Sequence, residues 1–172
     1  NPQTQRYLIE LAALIAQHES GQILPLAISK AHVHMDDPQL GISLAQSQKR
    51  LKMAEEISQE FNVKVSTAIR IDDDVALAIS RTSREQNASL IVMGWSRTTG
   101  LRARLFGNII DSVFWSSHCP VAVARLVNSP KTIARIIVPI GDLRPQTISA
   151  WRFAEMLADA NKAEVVLLHV FN

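Results

Sequence analysis

LIVMGWSRTTGLRARLFGNIIDSVFWSSHCPVAVAR, residues 90–125, decides how this chain folds. Leu90 to Met93 is a short, continuously apolar, branched run that ends at Gly94, the composition of a strand buried on both faces of a parallel sheet. The twelve residues from Trp95 to Phe106 hold Arg97, Arg102 and Arg104 and no acidic residue. Gly107 then opens an apolar-periodic segment through Ile110, Val113 and Phe114, and a second apolar strand follows from Pro120 to Leu126. A helix that starts beside three guanidiniums is an anion cradle. Its free N–H groups and dipole favour a negative charge by about 0.3–1 kcal/mol, and the arginines can add charge-assisted bonds.

Outward from this stretch, strands and helices alternate. Tyr7, Leu8, Leu11, Leu14 and Ile15 mark the buried stripe of a first helix, and Ile23 to Val33 read as a strand and its exit. Leu44, Leu51, Ala54, Ile57 and Phe61 supply a second helix that stops at Asn62, a residue tolerant of the left-handed cap position. Val63 to Ile71 form the next strand. Asp72-Asp73-Asp74 then cap a third helix, because carboxylates accept the orphan N–H groups of a first turn. This alternation predicts an α/β fold built on an open parallel sheet with helices on both faces.

After the linker Val127 to Lys131 the pattern restarts with a strand Ile133–Ile140, a helix from about Thr147 to Ala160 and a strand Glu164–Val170. Ala12–Ala16 lie over Ala154–Ala158, and Gln22–Leu26 over Glu164–Leu168, at one constant offset. The chain therefore carries an internal repeat. Residues 1–128 form one domain without a first strand, and residues 129–172 form the first β-α-β of a second.

Composition limits the function classes. The 172 residues, 47% hydrophobic and 20% charged, suffice for a cored domain. One cysteine, Cys119, excludes an internal disulfide framework. No run approaches the roughly 20 apolar residues of a membrane-spanning helix. A formal net charge of +2 with 5% aromatic residues argues against a nucleic-acid partner.

The segment resembles the signature of the universal stress protein family, in which ATP-binding members carry Gly-x2-Gly-x9-Gly-Ser/Thr, followed by a Cys-Pro-Val-x-Val strand. The spacing is met here at Gly94, Arg97, Gly107 and Asn108, and the tail reads His118-Cys-Pro-Val-Ala-Val123. Arg97 replaces the second glycine, so it either blocks the backbone's approach to a nucleotide or aims a guanidinium at phosphate. Asn108 replaces the final hydroxyl and retains an amide donor.

The resemblance implies a Rossmann-like sheet of order 3-2-1-4-5. The unfilled first position is expected to take residues 133–140, from the same chain or from a partner in a swapped dimer. It further implies an adenine nucleotide, ATP, AMP or cyclic di-AMP, with adenine against Ile28. Relatives hold adenine with an aspartate near the place of Asp142, although the matching residue is Gly141. The Phe106–Val121 tail looks most like stress-protein domains appended to bacterial monovalent cation/proton antiporters. That likeness implies a regulatory domain on the cytoplasmic side of a membrane protein, and a homodimer formed through Pro120–Leu126 or by exchange of Ile133–Ile140.

Blander readings compete for several residues. His32, His34, Asp36 and Asp37 suit a polar strand exit better than a metal site, since no third ligand is indicated. Cys119 reads as a small buried hydrophobe, and Asp111 as a residue of the first helical turn rather than a group that polarises water. No phosphate loop, dinucleotide turn, adenylation motif or nucleophile elbow is present. The expectation is a binding module and not an enzyme, with a ligand-free interaction module as the alternative.

Overall fold

The structure is a computed structural model and describes residues 2–29, 37–95, 108–141 and 144–169. Helix α1 (Pro2–His18) leads into β1 (Gln22–Ile23) and β2 (Leu26–Ser29). Next come α2 (Asp37–Glu60), β3 (Lys64–Val65) and β4 (Ala68–Ile71). Then follow α3 (Val75–Glu85), β5 (Ile91–Gly94), α4 (Asn108–Ser116) and β6 (Val121–Ala124). A 3-10 turn (Pro130–Thr132) precedes β7 (Arg135–Ile140), α5 (Pro145–Asn161) and β8 (Glu164–His169).

Each strand pair is parallel: β1 with β3, β2 with β4, β5 with β6 and β7 with β8. The sequence predicts single strands over 23–33 and 63–71, whereas each is broken into two. Pro25 explains the break, because it has no N–H for the rung that would join β1 to β2. Its carbonyl still accepts from Ala68 N at 3.1 Å, and the Ile23 carbonyl accepts from Ser66 N at 3.1 Å.

Both faces of the sheet are covered. Leu90 and Val92 pack with Leu11 and Leu14 of α1, Ile57 of α2 and Phe61 just after it. The intervening Ile91 and Met93 pack instead with Ala76 of α3 and Val113 of α4. That two-residue alternation is how a strand serves two cores. Two local expectations hold. Asn62 has φ 54, in the left-handed region, and Asp74 caps α3 by accepting from Leu77 N at 2.9 Å. Phe114, expected in the buried stripe of α4, is 43% exposed, while Ile110 and Val113 are buried.

The second repeat is fastened to the first. Leu157, Phe153 and Met156 of α5 join the core built around α1. At the junction the Ser129 hydroxyl donates to Glu10, Asn161 Nδ2 donates to the Pro130 carbonyl at 2.8 Å, and the Lys131 ammonium sits 4.2 Å from the Phe61 ring centroid.

One expectation is corrected. Residues 133–140 do not fill the first strand position of repeat one within the chain, because β7 pairs with β8 and with neither β2 nor β5. The local reason is the repeat itself. With α5 as its own crossover helix, β7 is closest to the strand that follows that helix, and all six of its residues find partners along β8.

Candidate functional site

In a parallel α/β sheet, ligands bind beyond the carboxyl ends of the strands, where the direction of strand order reverses. Because the pairs are parallel and in register, β2 ends at Ser29 beside Ile71 of β4, and β5 ends at Gly94 beside Ala124 of β6. Ile28 and Gly94 thus lie at the carboxyl ends of β2, which packs against α2, and of β5, which packs against α1. Among the described residues β2 and β5 are not paired with each other.

Gly94 is not demanded by packing. A Cβ added there would meet only Leu8, with Cδ2 at 3.5 Å, an ordinary van der Waals contact, and its φ is not in the left-handed region. No described neighbour gives the fold a reason for glycine.

Helix α4 starts at Asn108, as the spacing requires, and carries Asp111 in its first turn. That carboxylate offsets part of the positive helix end, so the electrostatics of the cradle rest on cations from elsewhere. Arg97, Gly107 and Asp142 lie outside the described residues, as do Arg102, Arg104, His32, His34 and Asp36.

Arg125 belongs to no motif in the sequence, yet it comes to lie beside Trp95. Its guanidinium carbon lies 5.8 Å from the centroid of the Trp95 ring, and Trp95 N donates to the Ala124 carbonyl at 2.9 Å. The register Gly94↔Ala124 makes Trp95 and Arg125 the first residues past two adjacent strand ends. A cation is thereby held on an aromatic face just past the carboxyl ends of β5 and β6. The signal was present in the sequence, since both residues directly follow apolar strands, but it needed the register to be seen.

Other candidates sort plainly. Burial raises the pKa of the Cys119 thiol, which packs beside Val113, so it behaves as a small hydrophobe. Asp72 accepts from Asp74 N at 3.0 Å and the two serve the helix start. A shallow groove of about 460 Å³ runs between α3 and α4, lined by Leu77, Ser80, Arg81, Arg84, Glu85 and Ser116. Its α4 contribution, Ser116, is the last residue of that helix, at the end opposite Asn108. No helix among the described residues is long and apolar enough to cross a membrane.

Comparison with known proteins agrees with the fold. Over 171 residues the chain is 57% identical to the Na+/H+ antiporter NhaS5 of Synechocystis sp., covering 99% of this chain and 24% of that protein. It therefore spans about a quarter of that relative's length. A universal stress protein from Archaeoglobus fulgidus superposes with a TM-score of 0.70 at 16% identity, covering 96% of this chain and 62% of the other. A second protein of that organism, solved in complex with dAMP, superposes with a TM-score of 0.56 at 16% identity, covering 72% and 88%. The sequence model of the Universal stress protein family matches residues 1–125, and the chain belongs to that family.

Proposed function

We propose that this domain binds an adenine nucleotide at the carboxyl ends of β2 and β5 and uses it to bias a cation/proton antiporter of which it forms the cytoplasmic part. The observation that carries the reading is Gly94, a strand-end glycine that neither packing nor backbone conformation requires, set beside the start of α4. The adenine lies along the Ile28 backbone. The phosphate meets the amino end of α4 and the guanidiniums of the following loop, with Arg125 adding charge at the rim. The action is binding without turnover, and the ligand works only by favouring one transporter state over another.

Support comes from two directions. The relative with 57% identity is an antiporter, and a fold relative was solved with dAMP. The test is a thermal titration with ATP, AMP, cyclic AMP and cyclic di-AMP. Ligand at 100 times its dissociation constant stabilises the fold by about 2.7 kcal/mol. If none of them moves the melting temperature, the nucleotide reading fails.

A second reading has its own observation. Strand β6 pairs only with β5, which leaves one edge of half-buried Val121 to Ala124 unpaired among the described residues. Such an edge recruits another strand. In that reading residues 120–126 join two copies with no ligand involved, and sedimentation of a Val123→Pro variant, which cannot complete the new ladder, decides it.

A further inference from the structure

We infer that the carboxyl ends of α3 and α4 form a face that docks on an anionic bilayer surface, with Trp115 seated among the headgroups and Arg81 and Arg84 paired with their phosphates.

The two helices run side by side in the same direction. Ala76 packs with Val113, the Ser80 and Ser116 hydroxyls share a hydrogen bond, and Ser83 Oγ lies 3.5 Å from His118 Nδ1, so the paired residues advance together towards one end. On α3, Leu77, Arg81 and Arg84 recur at helical spacing as an exposed stripe. On α4, Ile110 and Val113 enter the core, which turns Trp115 to the opposite side of the helix, where it is 91% exposed. The fold uses almost none of that indole. Its neighbour Ser116 shares one shallow groove with the α3 stripe, so the tryptophan and the two arginines belong to one surface.

Charge is sorted along this helix pair. Arg81 and Arg84 are exposed and form no ion pair among the described residues. The carboxylate beside them, Glu85, is taken by Arg70. The other acidic residues of the pair sit at its far end, Asp73 and Asp74 ahead of α3 and Asp111 in the first turn of α4. The end that carries the tryptophan is therefore the cationic end. A helix dipole favours a cation in the last turn, which accounts for Arg84. It does not account for Arg81, nor for an indole left in solvent.

A bilayer surface accounts for all three. Indoles gather at headgroup level because the ring is apolar and its N–H polar, and arginines beside them are drawn to the negative surface of anionic lipid while their stems lie along apolar groups such as Leu77. The relative with 57% identity is an antiporter, an activity that requires a bilayer. The inference thus rests on the antiporter attachment proposed above and is independent of nucleotide.

The test is co-sedimentation of the full 172-residue chain with vesicles of phosphatidylglycerol and phosphatidylcholine in equal parts, compared with phosphatidylcholine alone, at low ionic strength and without nucleotide. Failure here would leave the thermal titration with nucleotides unaffected. Binding is expected on the anionic vesicles only. It should weaken about tenfold or more in Trp115→Ser and in the double variant Arg81→Gln/Arg84→Gln, and stay unchanged in Arg152→Gln, an exposed arginine of α5. All of these replace exposed side chains and should keep the urea midpoint of the wild type. Absence of binding to anionic vesicles overturns the inference, as does binding that Trp115→Ser leaves intact or that Arg152→Gln weakens equally. A chain that dimerises in solution and becomes monomeric in Trp115→Ser also overturns it, since a second copy would then cover the indole.

Discussion

Glu10 accepts a hydrogen bond from the Ser129 hydroxyl across the junction of the two repeats, and its other oxygen takes Arg6 Nε at 2.9 Å. The residue is only 3% exposed. A buried carboxylate on α1 therefore orders the segment that leads into β7. Replacing it with alanine leaves Ser129 without its acceptor. Glu10→Ala is expected to cost about 1–3 kcal/mol, read as a lower midpoint in urea. It should also expose the Val127–Thr132 segment to limited proteolysis before the core opens.

The same junction makes acid stability depend on one exposed carboxylate. Arg6 Nη2 lies 2.9 Å from both oxygens of Glu60, and Lys131 Nζ lies 3.5 Å from Oε2. The hydrogen bonds from Arg6 hold the Glu60 pKa below its ordinary value. A depressed carboxylate stabilises the fold fully above the ordinary glutamate range and loses that contribution as pH falls through its folded pKa. The stability difference between wild type and Glu60→Gln should be largest at neutral pH and shrink below about pH 4. A gap that widens in acid would contradict this.

At the start of α3, the Asp74 side chain satisfies Leu77 N, one of the orphan donors of the first turn. Asp74→Ala is expected to lower stability by about 0.5–2 kcal/mol, while Asp73→Ala stays within about 0.5 kcal/mol. Equilibrium denaturation of the two variants checks the contrast.

Arg125 tests whether the rim of the cradle carries charge for a ligand. It is exposed and held over Trp95, so Arg125→Ala should leave stability within about 0.5 kcal/mol. AMP binding measured by calorimetry should weaken tenfold or more, the scale of a charge-assisted hydrogen bond at about 1.5–3 kcal/mol. Equal affinity in both proteins would remove Arg125 from the site.

Much of this was legible from the residues. Leu90 to Gly94 reads as a central parallel strand because branched apolar side chains run unbroken to a glycine, and the structure gives those side chains to two cores in turn. Asn62 and Asp74 were readable because left-handed backbone and helix starts select residues by local chemistry. Pairing was less legible. Periodicity shows that Ile133–Ile140 is a strand but not which edge it joins, and that choice fell to the nearer β8. Pro25 falls within an apolar run that reads as one strand, although its missing N–H breaks it. The place of Arg125 beside Trp95 is not legible in the sequence, because it depends on strand register, which no single segment encodes.

Gly94 offers the most direct test of the central claim, that the end of β5 seats a nucleotide. Its added Cβ would touch only Leu8 at 3.5 Å, so Gly94→Ala should melt with the wild type when no ligand is present. The measurement is the melting temperature of both proteins across an AMP titration. The melting temperature should rise in the wild type and rise little or not at all in Gly94→Ala. The same rise in both proteins, or none in the wild type with any adenine nucleotide, would contradict it.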